Sequence, residues 1–173
     1  MRYAVRLSKD DNGTFLVTVP DVPGAITDGD TKDEALARAV DAVLTVFDEC
    51  MRTRRPIPAP KTMANTAIEI PVLEAAKVAL YQTMTDQHVT KSELGRRLKV
   101  HLPQVDRILN VRHASQMGQV VSAFHALGKR VELRVVDEPT RPLPGFIASV
   151  AAKAPRAATR VPAGRARRAA KKR

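Results

Sequence analysis

The sequence predicts an α+β protein: an N-terminal ββ(β)α(β) module followed by an all-α module that ends in a strand. Three observations carry this. Residues 3–19 alternate apolar and polar side chains around a turn, residues 31–51 set apolar side chains on one helical stripe, and residues 72–127 read as a run of capped helices. The charge divides along the same line. Residues 1–60 hold 8 basic and 10 acidic side chains, residues 61–136 hold 11 and 6, and residues 137–173 hold 10 and 2. An acidic first third joined to a basic remainder implies two modules with different partners, the basic part suited to a polyanion.

Several classes are excluded at this level. The longest apolar runs fall far short of the roughly 20 residues that span a bilayer. Met1-Arg2-Tyr3-Ala4-Val5-Arg6 runs straight into an alternating pattern without a signal-peptide hydrophobic region. The lone Cys50 has no partner for an internal disulfide, and no Cys/His spacing suits zinc. The expectation is a soluble cytoplasmic protein without a cofactor or a metal.

In the first module Tyr3, Val5 and Leu7 alternate with Ala4 and Arg6, and Phe15, Val17 and Val19 resume the alternation after Asp10-Asp11-Asn12-Gly13. Asn and Gly tolerate positive φ, so residues 3–8 and 14–19 are expected to form a hairpin. Pro20, Pro23 and Gly24 interrupt it, and Ala25-Ile26-Thr27 offers a short third strand. Thr31 followed by Glu34 fits a capping box. Leu36, Val40, Val43, Phe47 and Met51 then form the stripe that must lie on the sheet, and Pro56 stops the helix. Such a unit has a thin core, so a further strand from Ala67–Ile70 or a partner chain is expected to complete it. Asp21, Asp28, Asp30, Asp33 and Glu34 could be metal-binding carboxylates, but turn and helix N-terminal preferences account for the last four.

These residues are familiar in combination. The run Val19-Pro20-Asp21-Val22-Pro23-Gly24-Ala25-Ile26-Thr27-Asp28-Gly29-Asp30-Thr31-Lys32-Asp33-Glu34-Ala35, with Pro56-Ile57-Pro58 after the helix, resembles the HicB antitoxin family. The resemblance implies a partial ribonuclease-H-like fold that has lost catalysis and binds a HicA-type toxin, an mRNA-cleaving ribonuclease. Lost catalysis agrees with the first strand, since Tyr3–Leu7 offers no carboxylate for a divalent metal. The loop Pro20, Asp21, Val22, Pro23 and Gly24, with the hairpin edge beside it, is the expected toxin-binding surface, because rigid prolines and unpaired backbone are preorganised for contact.

In the second module residues 72–88 form an Ala-rich helix with Val72, Leu73, Ala76, Leu80 and Met84 available for burial. Thr90 and Glu93 repeat the capping pattern, and residues 91–110 have helix-turn-helix spacing. Leu94, Leu98, Val100, Val105 and Ile108 take core positions, and Gly95 sits where two helices cross. Residues 91–98 give the first helix of the motif, 99–101 the turn and 102–110 the recognition helix, whose start is fixed by Pro103. Lys99 stands where such motifs often carry Gly in a left-handed turn. Leu102, Gln104, Asp106 and Arg107 are expected to face the DNA major groove, Gln suiting adenine and Arg guanine. Arg96, Arg97, Lys99 and Arg112 are expected to neutralise phosphates. The alternative is a four-helix core with a solvated basic surface; five matched core positions, a capping box and the charge excess favour the motif.

Ser115 is expected to cap a last helix through Leu127, stopped by Gly128. Val131, Leu133 and Val135 then alternate with charged residues, a strand without a hairpin partner that a second copy could pair. The helix-turn-helix form of HicB antitoxins is similar in this order of parts, and such regulators bind palindromes as dimers. Residues 137–173, with five prolines and a terminal Arg165–Arg173 basic run, read as a disordered basic tail. His88, His101, His113 and His125 lie 12 or 13 apart and form no i, i+4 metal pair; Cys50 reads as packing.

The expected organisation is therefore 1–60 toxin-neutralising, 61–71 linker or edge strand, 72–136 DNA-binding and dimerising, and 137–173 tail. The expected function is an antitoxin that blocks its toxin and binds operator DNA as a homodimer or higher homo-oligomer, with no enzymatic activity. The rivals are a plain transcriptional regulator whose N-terminal module senses a ligand or only dimerises, and a nuclease acting through the Asp cluster.

Overall fold

A computed structural model describes residues 1–135; the expected basic tail lies outside the described residues. The expected first strand is split in two around Val5. Its first part, β1 (Arg2–Ala4), pairs antiparallel with β5 (Ala67–Glu69), while its second part, β2 (Arg6–Lys9), pairs antiparallel with β3 (Phe15–Thr18). The split comes from serving two neighbours: at the join the Val5 amide donates to the Thr66 carbonyl at 3.0 Å. The third expected strand is β4 (Ile26–Gly29), antiparallel to β3, giving the order β2-β3-β4.

Helix α1 (Lys32–Arg52) lies on these strands. Thr31 Oγ1 accepts the Glu34 amide at 3.2 Å, and the Glu34 carboxylate accepts the Asp30 amide at 3.1 Å, so the cap closes from both sides. Leu36, Val43, Phe47 and Met51 are buried as the spacing requires; Ala35, Ala39 and Cys50 widen the stripe, and Val40 is only half-buried. The Phe47 ring meets Tyr3 at a centroid separation of 5.7 Å. The Tyr3 hydroxyl donates to the Pro58 carbonyl at 2.6 Å, which ties the post-helix segment to the sheet. Burial first, and the nearby Asp21 carboxylate second, push its phenol up to about 12.

The second module comprises α2 (Val72–Asp86), α3 (Lys91–Leu98), α4 (Leu102–Leu109) and α5 (Met117–Ala126). Leu80, Met84, Leu94, Val105, Ile108, Val120, Ala123 and Phe124 make its core. Gly128, at φ +68°, ends α5, and the Lys129 amide reaches back to the Phe124 carbonyl at 2.9 Å. Ser115 does not cap α5. The helix starts after Gln116, and the Ser115 hydroxyl donates instead to the Arg107 carbonyl at 3.0 Å, because the preceding loop turns back onto α4. Residues 131–135 pair with nothing among the described residues, as a lone alternating segment must, and Leu133 and Val135 are exposed.

The helical module also contributes to the N-terminal core. Val78 of α2 and Val111, beyond α4, are buried in the N-terminal core, together with Ile68 and Ile70 around β5. A fragment ending at residue 60 would therefore lack β5 and both valines. Among the described residues no helix is long and apolar enough to cross a membrane.

Lys99 adopts φ +56° and ψ +41°, the left-handed conformation the turn requires. A side chain there costs about 1 kcal/mol. Lys99→Gly is accordingly expected to raise stability by about 0.5–1 kcal/mol, less whatever glycine adds to unfolded-chain entropy. A urea midpoint that falls would contradict this account of the turn.

Candidate functional site

The turn between α3 and α4 is built by close approach. A Cβ on Gly95 would sit 3.1 Å from the Val100 carbonyl and 3.4 Å from Val105 Cγ2, so a minimal side chain lets the chain fold back against its own helix. Thr90 Oγ1 accepts the Glu93 amide at 3.2 Å, which fixes the start of α3. His101 stands at the N-cap of α4, and Pro103 lies in its first turn, where no amide is required. Val105, Ile108 and Leu109 are buried, and this turns the opposite face of α4 outward. Leu102, Gln104, Asp106 and Arg107 are all exposed on it.

The expected DNA residues separate into three groups. Gln104 and Arg107, three apart on one face, make no side-chain hydrogen bond among the described residues, and Lys99 and Leu102 are exposed beside them. Asp106 is engaged: it accepts from Lys91 Nζ at 2.7 Å and joins α4 to the start of α3. Arg96 and Arg97 both grip Glu93 at 2.8 Å, and Arg97 also donates to the Ala126 carbonyl at 3.3 Å. The hydrogen bonds of these two guanidiniums hold the Glu93 carboxyl down at about 2, so it stays ionised and offsets part of their charge.

Arg112 forms the third group. Its guanidinium lies on α1, donating to Asp41 Oδ1 at 3.0 Å, to the Asp41 carbonyl at 3.4 Å and to Thr45 Oγ1. It is engaged with α1, while its side chain stays 44% exposed.

In the N-terminal loop Pro20, Pro23 and Gly24 are exposed, whereas Val22 is fully buried and anchors the loop in the core. The Asp21 carboxylate accepts from the amides of Lys61 and Thr62 at 2.8 Å each and from Thr62 Oγ1 at 2.6 Å. Those bonds, chiefly from Thr62, hold its carboxyl below the usual range. Asp21 thus staples this loop to the segment after α1. Gly24 takes φ +91°, which lets the loop turn into β4.

Lys77 escaped the sequence reading. It is fully buried, and Nζ donates to the Asn110 carbonyl at 2.7 Å and to the His113 carbonyl. A signal was present, since Lys77 interrupts the stripe Leu73, Leu80, Met84 at spacings of four, three and four. Asp41 and Thr45 carried no such signal. Among the described residues no group of three or more His, Cys, Asp or Glu side chains could hold a metal ion.

Comparison with known proteins identifies relatives of this chain. The family described as HicB-like antitoxin of bacterial toxin-antitoxin systems matches residues 2–79. Antitoxin HicB 2 of Photorhabdus laumondii is 41% identical over 133 residues, which covers 77% of this chain and 95% of that protein. Antitoxin HicB of Escherichia coli K12 is 36% identical over 138 residues, 79% of this chain and all of that protein. These relatives are antitoxins rather than enzymes, and this chain is likewise not an enzyme. With a hairpin, stapled loop and long helix in the matched region, and relatives covered almost end to end, the chain belongs to the HicB antitoxin family.

Proposed function

We propose that this antitoxin binds and blocks a HicA-type mRNA-cleaving toxin through its N-terminal module and represses its own operon through α3 and α4 on operator DNA, in the cytoplasm. The carrying observation is the outward face of α4, where Gln104 and Arg107 lie unengaged among the described residues, beside Lys99 and Leu102 on a fixed helix-turn-helix. Gln and Arg are side chains that read base edges in the major groove, and Lys99 suits a phosphate. The division 1–60, 61–71 and 72–136 is retained as a division of labour, not of folding. The exposed Pro20, Pro23 and Gly24, held rigid by Asp21 and Val22, favour the loop as the toxin contact. The free edge of β4, with Ile26 exposed, adds backbone groups beside it. The exposed alternation of residues 131–135 favours a homodimer or higher homo-oligomer joined by strand pairing.

Inhibition needs only binding: a tight complex that covers the ribonuclease's active site excludes RNA. Copurification with the product of the neighbouring reading frame, followed by growth rescue, tests that half. Purified full-length chain that neither copurifies nor rescues would overturn it. For the DNA half, Arg107→Ala is expected to cost about 1–3 kcal/mol on the operator and to relax base preference at one position. Equal losses on operator and scrambled duplexes would show that Arg107 does not read sequence.

A further inference from the structure

We infer that Arg112 is a positioning residue: it fastens the C-terminal end of α4 to α1, so that the N-terminal module sets the angle at which α4 is presented to DNA. The inference rests on the proposed DNA reading by α4 and adds to it what fixes that helix.

The loop Asn110–Ser115 leaves α4 and is held on two sides. On the α1 side Val111 is 2% exposed within the N-terminal core. Arg112 beside it spans Asp41 and Thr45, one helical turn apart on α1, and Thr45 Oγ1 itself donates to the Asp41 carbonyl at 2.9 Å. On the α2 side Lys77 takes the carbonyls of Asn110 and His113. Inside the loop the Asn110 side chain accepts the Arg112 amide at 2.8 Å, and Ser115 returns to the Arg107 carbonyl. The carbonyl of the base-reading residue is thus tied to the loop that grips α1.

Magnitudes separate orientation from stability here. The Arg112–Asp41 pair is well exposed, with side chains 44% and 69% accessible, and pairs of that kind add little to folding. Val111 supplies the adhesion; Arg112 supplies direction. Helix α4 has eight residues, so it is about 12 Å long, and a tilt of about 10° about its anchored end moves the other end by about 2 Å. That exceeds the tolerance of a hydrogen bond to a base edge. A weak contact can therefore tune recognition by a few fold while adding little to stability.

The test uses the full chain and two duplexes, the DNA upstream of its own gene and a scrambled version, titrated across a salt series. Asp41→Ala and Arg112→Ala are each expected to weaken binding to the upstream duplex by about two- to fivefold, the ceiling set by the small worth of an exposed pair. The double variant should be no worse than either alone, the salt slope should stay unchanged, and the thermal midpoints should remain near wild type. Loss of salt slope by about 0.9 in Arg112→Ala, with Asp41→Ala binding as well as wild type or better, would make Arg112 a phosphate contact and overturn the inference. A second measurement needs no DNA. With spin labels at the exposed positions Ala37 and Gln104 in a Cys50→Ala background, Asp41→Ala should broaden the distance distribution. An unchanged distribution overturns the latch. A wild type that binds neither duplex overturns the DNA reading instead and leaves the latch to be judged by the distances.

Discussion

Lys77→Met is expected to lower the unfolding free energy by about 2–4 kcal/mol. The substitution keeps the length of the stem but removes the ammonium's two hydrogen bonds, leaving the Asn110 carbonyl only the His113 amide at 3.1 Å and the His113 carbonyl only the Ser115 amide at 2.8 Å. Each hydrogen bond from a charged donor is worth about 1.5–3 kcal/mol, and the relief of no longer desolvating an ammonium offsets part of the loss. Burial also pushes the Lys77 ammonium below its ordinary 10.5, with Glu74 pulling the other way. The unfolded chain therefore holds that proton more tightly. Its contribution to stability is most favourable above 10.5 and is lost as pH falls through the lowered value. Tyr3 has the opposite sign: its phenol, raised from 10.0 to about 12, favours the folded chain below 10 and loses that contribution as pH rises toward 12. Urea unfolding at neutral pH checks the main effect, with an unchanged slope and a lower midpoint expected. A midpoint equal to wild type would mean that the backbone amides already on the two carbonyls suffice, and the account of Lys77 as a clamp would fail.

Gly29→Ala is expected to cost about 2–3 kcal/mol and to lower Tm by about 5–10 °C. A Cβ at Gly29 would lie 2.6 Å from the Ala35 amide nitrogen, 2.9 Å from its Cα and 3.2 Å from its Cβ. The obstacle is the backbone of α1, which no rotamer change clears, so β4 must move off the helix. Its φ is not left-handed, so crowding alone is at issue. Gly118 serves as the control: nothing lies within 4 Å of a Cβ there, and alanine in α5 should be neutral or better by about 0.5–1 kcal/mol. Thermal unfolding of both variants decides the matter. Equal midpoints would show that the β4–α1 contact is not tight.

Local chemistry makes much of the fold legible. The hairpin, the stripe on α1, the caps at Thr31 and Thr90, the start of α4 at Pro103 and the stop at Gly128 each depend on neighbours a few residues away. Gly95 and the left-handed Lys99 are equally readable, because the motif requires both a close approach and a turn there. The features that escape depend on distant partners. Nothing near Arg112 announces Asp41, 71 positions earlier, and a basic residue after a recognition helix reads by default as a phosphate contact. Asp21 likewise reads as part of the toxin-contact loop, and its role as a staple stays hidden until Lys61 and Thr62, 40 and 41 residues on, are brought to it. The break at Val5 arises because one continuous apolar alternation serves two different neighbours, and alternation alone does not name its partners. Ser115 departs from its expected role for a related reason, since a hydroxyl just before a helix fits either a cap or a bond back to the preceding helix.

Val78 and Val111 have a consequence for the lifetime of the protein. Both come from the helical module and are buried in the N-terminal core. Opening the N-terminal half strips these valines of cover and loosens the loop on α4, while opening the helical half withdraws two plugs from the sheet. Local opening is inexpensive only where few buried contacts cross the boundary, and here they cross it. The two halves are therefore expected to open as one cooperative unit, cleared together by any protease that captures the open chain. Release of a bound partner and release of bound DNA by such turnover would share a single clock.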